Sequence, residues 1–523
     1  MKFLLVGINS KFIHSNPAVY SLKSYVTNEI DLIPNADVEI AEYTINQRCE
    51  EILSDIFERR PDYIGFSCYI WNRSMVCELL DEIPKVLPGT EVFLGGPEVS
   101  FEKTDIFAQK PCVKAIMLGE GEETFRQLLT EYCIPKGENE SLRKIPGLLL
   151  PDGTTSERGI LDMDDVPFFY DKDIFSNKIV YYESSRGCPF RCSYCLSSID
   201  KDMRYRSLDK VFEHLDTFLK SGVPQVKFID RTFNSNPKRA LEIWKYILKN
   251  DNGVTNFHFE IAADIMTDEQ IDVISRMRTG LIQLEIGVQS TNEKTLKSIN
   301  RFVDTEHIKE VVGKLQAANN THIHLDLIAG LPYENYESFQ KSFNDVFDMR
   351  PNQLQLGFLK VLKGTMMAKQ TEEYGIKHCS APPYEVLSSQ WISYEEILKL
   401  KRIEEVLELY YNSAQFVNSV DCLLKEFDTA FDFFDALAKY YASKGYFIKS
   451  PARSRKYDIL LEFTEQINPQ LKEKIRELLT LDYYLRENPK SKPDFVKEVP
   501  KMKFDYTRRN PLTNNATLMP PNC

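Results

Sequence analysis

The sequence predicts an α/β protein in three parts: an N-terminal doubly wound parallel sheet of Rossmann-like type, a central partial (β/α)6 barrel, and a C-terminal, mostly helical module. Three observations predict it. Short apolar runs alternate with helix-period stretches over residues 2–132, and the alternation resumes over 179–359. Between these blocks the texture changes to turn signals, with Pro135-Lys136-Gly137, Pro151-Asp152-Gly153 and the stretch 162–167. After Lys363-Gly364-Thr365 the strand runs cease and aromatic, helix-spaced sequence takes over. A chain of 523 residues is long enough for two or three cores. The expected limits are 1–135, a linker at 136–177, 178–375, 376–500 and a tail at 501–523.

In the first block, residues 2–8, 38–43, 63–70, 91–94 and 115–118 read as strands, and 18–29, 50–59, 73–86, 101–108 and 122–132 as the helices between and after them. Such alternation gives a parallel sheet that binds ligands at the carboxyl ends of its strands. Small and polar residues gather there. Asn9 and His14 bound the loop after the first strand, and Ser67-Cys68-Tyr69-Ile70-Trp71-Asn72 ends the third. Gly95-Gly96-Pro97-Glu98 ends the fourth and Gly119-Glu120-Gly121-Glu122 the fifth. Glycines at these turns let backbone amides approach a ligand, but no G-x-G-x-x-G is present, so a dinucleotide site is poorly supported. Cys49, Cys68, Cys77, Cys112 and Cys133 show no ligand spacing and read as buried thiols. In the linker, the apolar run 147–150 before Pro151-Asp152-Gly153 has the form of half a hairpin.

In the second block the strands are 179–183, 225–230, 257–262, 282–288, 322–329 and 353–359. Helical stretches at 209–221, 238–249, 268–277, 306–318 and 338–347 separate them. Right-handed crossovers leave a partial (β/α)6 barrel as the natural arrangement, with reactive groups at the carboxyl ends of its strands. The first strand leads through the turn Ser185-Arg186-Gly187 into Cys188-Pro189-Phe190-Arg191-Cys192-Ser193-Tyr194-Cys195. The C-x3-C-x2-C spacing offers three soft thiolates, which suit an iron–sulfur cluster. A cubane normally takes four, so a loop with three leaves one iron open to a small molecule. Zinc sites usually use paired hooks that close a tetrahedron, and no second hook is visible.

These residues, with Tyr194 before the last cysteine, resemble the radical S-adenosylmethionine (radical SAM) superfamily. The resemblance implies that Cys188, Cys192 and Cys195 hold a [4Fe–4S] cluster whose open iron takes the amino and carboxylate groups of SAM. An electron from the reduced cluster then cleaves SAM to methionine and a 5′-deoxyadenosyl radical, the cofactor carrying the difficult chemistry. By family position Tyr194, Asp230, Glu260, Gln289 and Gly330 are the candidate SAM contacts. Asp230 stands in Phe228-Ile229-Asp230-Arg231, where the family's commonest motif is two glycines and a glutamate. The segments ending the third, fourth and fifth N-terminal strands are similar to the cobalamin-binding domain joined to many radical SAM enzymes. That likeness implies cobalamin contacts from Asn9, His14, Ser67, Tyr69, Trp71, Gly95, Gly96, Gly119 and Glu120. No D-x-H-x-x-G is present, and His14 is the only histidine before residue 200. The resemblance therefore implies a cobalt whose dimethylbenzimidazole is displaced without histidine replacing it. Methylthiotransferases share the layout but carry a second cluster on cysteines beginning where this chain has Asn9. Arg186 and Arg191 flank the cysteine loop, where a cation would raise a cluster's potential or meet SAM's carboxylate.

The C-terminal block has helix spacing at 391–412, 422–444 and 471–485. Phe427, Phe431, Phe433, Phe434, Tyr440 and Tyr441 read as core. Cys379, Cys422 and Cys523 are isolated, so an auxiliary cluster is unsupported. The composition is that of a soluble globular protein at 43% hydrophobic and 27% charged, and no apolar run reaches the length of a membrane span. The N-terminal apolar run is too short for a secretory signal. Eleven cysteines without a disulfide pattern suit a reducing, cytoplasmic setting. A net charge of −12, with only short basic clusters at 453–456 and 508–509, argues against nucleic acid.

The resemblance implies a cobalamin-dependent radical SAM enzyme that methylates an unactivated carbon of a small-molecule or peptide substrate, fed by a flavodoxin- or ferredoxin-like reducing donor. No protein acid or base is singled out as catalytic. The alternatives are a rearrangement or cyclisation without methyl transfer, and a non-catalytic cobalamin or cluster sensor.

Overall fold

A computed structural model describes residues 1–27, 33, 36–101, 104, 106–133, 142–200, 202–486 and 493–497. The expected tail at 501–523, Cys523 and the last two residues of the helix expected at 18–29 lie outside these. The chain divides into two compact units. The first comprises Met1–Phe259, Lys360–Gln370 and His378–Glu385, and the second Glu260–Leu359, Thr371–Lys377 and Val386–Cys523.

In the first unit, strands β1 (Lys2–Asn9), β2 (Asp37–Thr44), β3 (Tyr63–Ser67), β4 (Glu91–Gly95) and β5 (Val113–Met117) pair in parallel in the order 2-1-3-4-5. Helices α1 (Pro17–Thr27), α2 (Cys49–Arg59), α3 (Arg73–Val86), α4 (Ile106–Gln109) and α5 (Glu122–Cys133) connect and follow them. Strand side chains alternate between faces, and both faces of β1 are apolar. Leu4, Val6 and Ile8 pack with Ile52 and Ile56 of α2 and Val76, Leu79, Leu80 and Ile83 of α3. Phe3 and Leu5 pack with Val19 and Val26 of α1 and Phe125, Leu128 and Leu129 of α5. Each fully buried side chain of this size contributes roughly 1.5–3 kcal/mol, which is why β1 reads as a nearly continuous apolar run. The chain leaves β1 for β2 on one side and returns to β3 on the other. This reversal opens a crevice at the carboxyl ends of the strands.

The linker segment adds to this sheet. Strand β6 (Leu148–Leu150) pairs antiparallel with β5, and β7 (Gly153–Thr154) antiparallel with β6. The half-hairpin legible at 147–150 is thus an extension of the N-terminal sheet. Next come β8 (Val180–Tyr182) and a short antiparallel pair, β9 (Ser185–Arg186) with β10 (Arg204–Tyr205). Strands β11 (Gln225–Phe228) and β12 (Asn256–Ile261) then follow, with β8, β11 and β12 parallel neighbours.

The division between the units falls inside β12. In the second unit β13 (Ile282–Gln289), β14 (His322–Ala329) and β15 (Gln353–Phe358) are parallel, and the register slips at Gly287/Gln289. The barrel sheet keeps chain order from β8 to β15. The helical part begins with Tyr394–Leu407, capped by Ser393 and Glu396, and runs on through a π turn at Glu408–Asn412. Asn412 brackets β15, accepting from Leu354 N at 2.9 Å and donating to its carbonyl at 2.8 Å. The helix expected over 422–444 is two. Val417–Leu423 ends early, and Thr429 caps a new helix, Ala430–Ser443, by accepting from Asp432 N. Phe431, Phe433, Phe434, Tyr440 and Tyr441 are all buried. Helix Arg455–Ile467 was hidden behind the basic run 453–456, where Arg455 pairs with Glu462 at 2.7 Å. The last long helix is Lys472–Arg486. No helix among the described residues is long and apolar enough to cross a membrane.

Candidate functional site

Within the first unit, a cavity of about 1210 Å³ opens where the carboxyl ends of β3, β4 and β5 meet the loop after β9. Ser67, Tyr69, Trp71, Gly95, Gly96, Gly119 and Glu120 all line it, as does Cys195. Asn9 and His14 do not. Both are engaged in hydrogen bonds within the first unit. Asn9 is buried and donates to the His14 carbonyl at 3.1 Å and to Glu42 at 2.8 Å. The His14 ring meets the Tyr181 hydroxyl, and burial, Lys11 and Lys227 hold its pKa below the ordinary value. Glu42 collects Asn9, the Asn16 amide at 2.9 Å, the Tyr20 hydroxyl at 2.8 Å and Lys178, tying β2 to the segment before β8.

The strand-end loops owe their shape to local chemistry. Asn72 is fully buried, accepts from Tyr69 N at 2.8 Å and donates to the Ile8 and Ser67 carbonyls at 3.0 and 2.9 Å. This clamp presents Tyr69 and Trp71 as a stacked pair, 4.4 Å between centroids. Gly96 has φ +106°, and a Cβ there would meet the Cys68 carbonyl oxygen at 2.5 Å. Only glycine fits that backbone. Gly119 has φ +73° with open space where a Cβ would stand. Burial raises the Cys68 thiol to about 12, so it is a packing residue. Glu98, in the cavity wall, accepts from the Tyr384 hydroxyl.

The cysteine loop is fixed at both ends. Gly187 has φ +91°, where a Cβ would strike the Asp202 carbonyl at 2.6 Å. Cys195 N donates to the Cys192 carbonyl at 3.1 Å, and Met367 N to the Ser193 carbonyl at 2.8 Å. Cys192 is buried, Cys188 and Cys195 are half-buried, and Cys188 Sγ lies 3.6 Å from Thr232 Oγ1. Tyr194 is half-buried between them. Among the described residues no three His, Cys, Asp or Glu side chains gather as ligands of a single ion. A cubane asks something else: each thiolate serves a different iron, and the donor set of three soft sulfurs on one braced loop fits that group.

Asp230 braces this loop. Its carboxylate accepts from Ser184 N at 2.7 Å, Ser185 N at 3.0 Å and the Ser184 hydroxyl at 2.5 Å. Burial pushes it up to about 6, against the pull of those same hydrogen bonds. Arg186 is likewise internal: it pairs with Glu122 at 2.7 Å, Glu183 at 3.0 Å and Glu120 at 3.3 Å. Arg204 joins Glu120 at 2.6 Å. Glu183 is a local partner, but Glu120 and Glu122 reach these arginines from far off in sequence, a signal no local motif carries, while Arg191 is exposed.

The remaining candidates lie in the second unit, at or near strand ends. Glu260 is half-buried in β12. Gln289 ends β13 with φ +73°, rare for a side chain of its kind, and its Oε1 is buried without a partner. Gly330 follows β14 with φ +85°, where a Cβ would meet Val386 at 2.6 Å. Beyond it, fully buried Glu334 accepts from Ser290 and Ser342 at 2.7 and 2.9 Å, and burial pushes it to about 7.

A glycine-walled cavity on a doubly wound sheet, sharing Cys195 with a three-cysteine loop on a parallel barrel, defines a class: a cobalamin-type domain joined to a radical SAM core. The comparisons agree. Residues 4–129 match the B12 binding domain, 182–346 the radical SAM superfamily, and 372–519 a protein family of unknown function (DUF4080). The chain thus carries a B12 binding domain followed by a radical SAM domain. It is 25% identical over 312 residues to the 2-(S-pantetheinyl)-carbapenam-3-carboxylate methyltransferase of Streptantibioticus cattleyicolor, covering 55% of this chain and 45% of that one. It is 23% identical to the cobalamin-dependent radical SAM methyltransferase TokK of Streptomyces tokunonensis, covering 63% and 51%. It is 24% identical to the anaerobic magnesium-protoporphyrin IX monomethyl ester cyclase of Rubrivivax gelatinosus, covering 58% and 57%. The matches thus span about half the length of these relatives. In fold, the chain is similar to the cobalamin-dependent radical enzyme OxsB, with a TM-score of 0.64 at 15% identity over 99% of this chain and 83% of that one. The methyltransferase TsrM of Kitasatospora setae gives 0.59 at 16% over 73% and 78%.

Proposed function

We propose that the protein methylates an unactivated carbon of a small-molecule or peptide substrate, using a [4Fe–4S] cluster, SAM and cobalamin. When bound, these groups supply one-electron reductive cleavage of SAM and methyl transfer. The observation that carries the reading is the shared wall: one cavity is lined by the glycine-rich strand ends and by Cys195 of the cluster loop. Two cofactors that must exchange reactive groups need that proximity.

The residues divide the work. Cys188, Cys192 and Cys195 would hold the cluster, with Asp230 positioning their loop through Ser184 and Ser185. Gly95, Gly96 and Gly119 would lie against the corrin, with Ser67, Tyr69, Trp71 and Glu120 beside it. Gln289, Glu260, Tyr194 and Gly330 are the proposed SAM contacts, Gln289 through an oxygen that otherwise has no partner. Asn9 and His14 are assigned to the scaffold rather than to cobalamin. A ferredoxin- or flavodoxin-like donor in a reducing cytoplasm would supply the electron. The domain limits we propose keep 1–135 and 178–375, with the hairpin of the linker counted as part of the cobalamin domain.

The test is anaerobic turnover of reconstituted protein with methyl-labelled SAM and candidate substrates. Label in the product together with 5′-deoxyadenosine is expected. Deoxyadenosine formed with an unlabelled, rearranged product would end the methylation reading, and failure to form any would favour a sensor.

A further inference from the structure

The segment after the β6–β7 hairpin, residues 154–160, lines the cavity, although nothing in its sequence marks it as a binding loop. It is held there by backbone pairing: Thr155 N donates to the Leu148 carbonyl and Gly147 N to the Ser156 carbonyl, both at 2.8 Å. Within it stands Arg158, half-buried. Its guanidinium donates to the Thr124 hydroxyl at 3.1 Å, to Gln127 Oε1 at 2.8 Å and to the Pro146 carbonyl at 2.8 Å. All three partners are neutral. Arg186 and Arg204, in the wall of the same cavity, are compensated by Glu120, Glu122 and Glu183. Glu123, the carboxylate that acts on Arg158, is already engaged by Arg126 at 2.6 Å. Burial holds the Arg158 pKa below the ordinary guanidinium value, with Glu123 opposing that pull. A half-buried cation whose hydrogen-bond partners are all neutral and whose acting carboxylate is shared with another arginine is poorly compensated, and it faces a cavity.

The cavity has an apolar part beside this arginine, lined by Leu5, Val19, Leu22, Gly65, Met117 and Leu148. Gly147, between the Pro146 carbonyl that Arg158 binds and Leu148, has φ +78°, and a Cβ there would come within 3.0 Å of Arg158 Cβ. The glycine leaves room for the arginine. Cobalamin has matching parts: a neutral, apolar benzimidazole joined to the corrin through a single anionic phosphodiester. We infer that Arg158 is a cobalamin-binding residue, pairing with the phosphodiester of the nucleotide loop while the apolar slot receives the benzimidazole. Guanidinium suits the oxygen geometry of a phosphate better than any other side chain. The assignment rests on the cobalamin reading of this cavity and adds the group that distinguishes a complete corrinoid from a truncated one.

The test is equilibrium binding of hydroxocobalamin and of cobinamide, which lacks the phosphodiester and nucleotide, followed by the corrinoid spectrum and calorimetry. Arg158→Gln should weaken hydroxocobalamin binding roughly tenfold, about the loss of one charge-assisted pair, and leave cobinamide binding unchanged. Arg158→Lys, which keeps the charge, should fall between. Rising salt should erode the wild-type preference for hydroxocobalamin more than that of Arg158→Gln. Equal weakening of both corrinoids, or of neither, would overturn the assignment. Should Arg158→Gln not fold, the wild-type salt dependence decides, and equal slopes for the two corrinoids overturn it. Wild-type protein binding neither corrinoid would overturn the cobalamin reading as well, and so is told apart.

Discussion

Asp230 and Gln289 show how a single side chain's surroundings separate support from contact. Asp230 keeps a carboxylate near 6 because burial outweighs the hydrogen bonds from Ser184 and Ser185. Its folded pKa is raised above the unfolded value near 4. Between those values the folded state holds a proton that the unfolded chain has released. Stability therefore falls as pH rises from about 4 to about 6, and the cost persists above that. Asp230→Asn keeps an acceptor for both serine amides and removes the ionisation. Relative to this variant, the wild type should gain on the order of 3 kcal/mol between pH 7 and pH 4, read by denaturant titration; a difference that does not move with pH would sink the idea. Gln289 is the converse case. Its left-handed backbone and unpartnered buried oxygen are costs the fold itself does not need. Gln289→Ala should leave the melting temperature unchanged or raised while weakening SAM binding to the cluster-loaded protein by about tenfold. A lowered melting temperature with intact SAM affinity would make Gln289 structural. A glutamine at φ +73° leaves no mark in sequence, since left-handed positions are read from glycines.

At the scale of elements, the strand-end loops were legible because their residues are unusual for strands: Gly95, Gly96 and Gly119 interrupt apolar runs, and Tyr69 and Trp71 follow a buried one. The β6–β7 hairpin was only half legible, because Leu148–Leu150 is too short for a period to declare itself. Nor does sequence alone show its antiparallel addition to β5. The N-terminal helix of the DUF4080 region was clear from its spacing, whereas Arg455–Ile467 was obscured by its basic start. The Gly96 turn offers the sharpest test at this scale. Gly96→Ala places a Cβ against the backbone of Cys68, which cannot rotate away. The expected loss is roughly 3 kcal/mol, with cobalamin binding lost alongside it because the β4 loop must withdraw. Gly89→Ala, with nothing near its Cβ position, is the matched control. If Gly96→Ala melts with the wild type and binds cobalamin normally, the turn is softer than its geometry implies.

For the whole molecule, the fold class was legible because βα alternation and the three cysteines are local patterns. What joins the parts was not. Glu120 and Glu122 meet Arg186 and Arg204 across sequence distances that no window spans, and the division into compact units falls within β12 instead of between the blocks the composition suggests. That division has a measurable consequence. The cavity assigned to cobalamin is lined only by residues of the first unit. A ligand bound to the folded form alone stabilises it by about 2.7 kcal/mol at a hundredfold excess over its dissociation constant. The gain is registered by whatever region must open to release the ligand. Hydrogen exchange with and without hydroxocobalamin should therefore slow at the amides of β1, β3, β4 and α5. The helices Ala430–Ser443 and Arg455–Ile467, which belong to the second unit and contribute nothing to the cavity lining, should exchange at unchanged rates. Slowing spread evenly over both sets would mean that the two units unfold as one cooperative body. Protection confined to the C-terminal helices would place the corrinoid elsewhere and remove the cavity from the site.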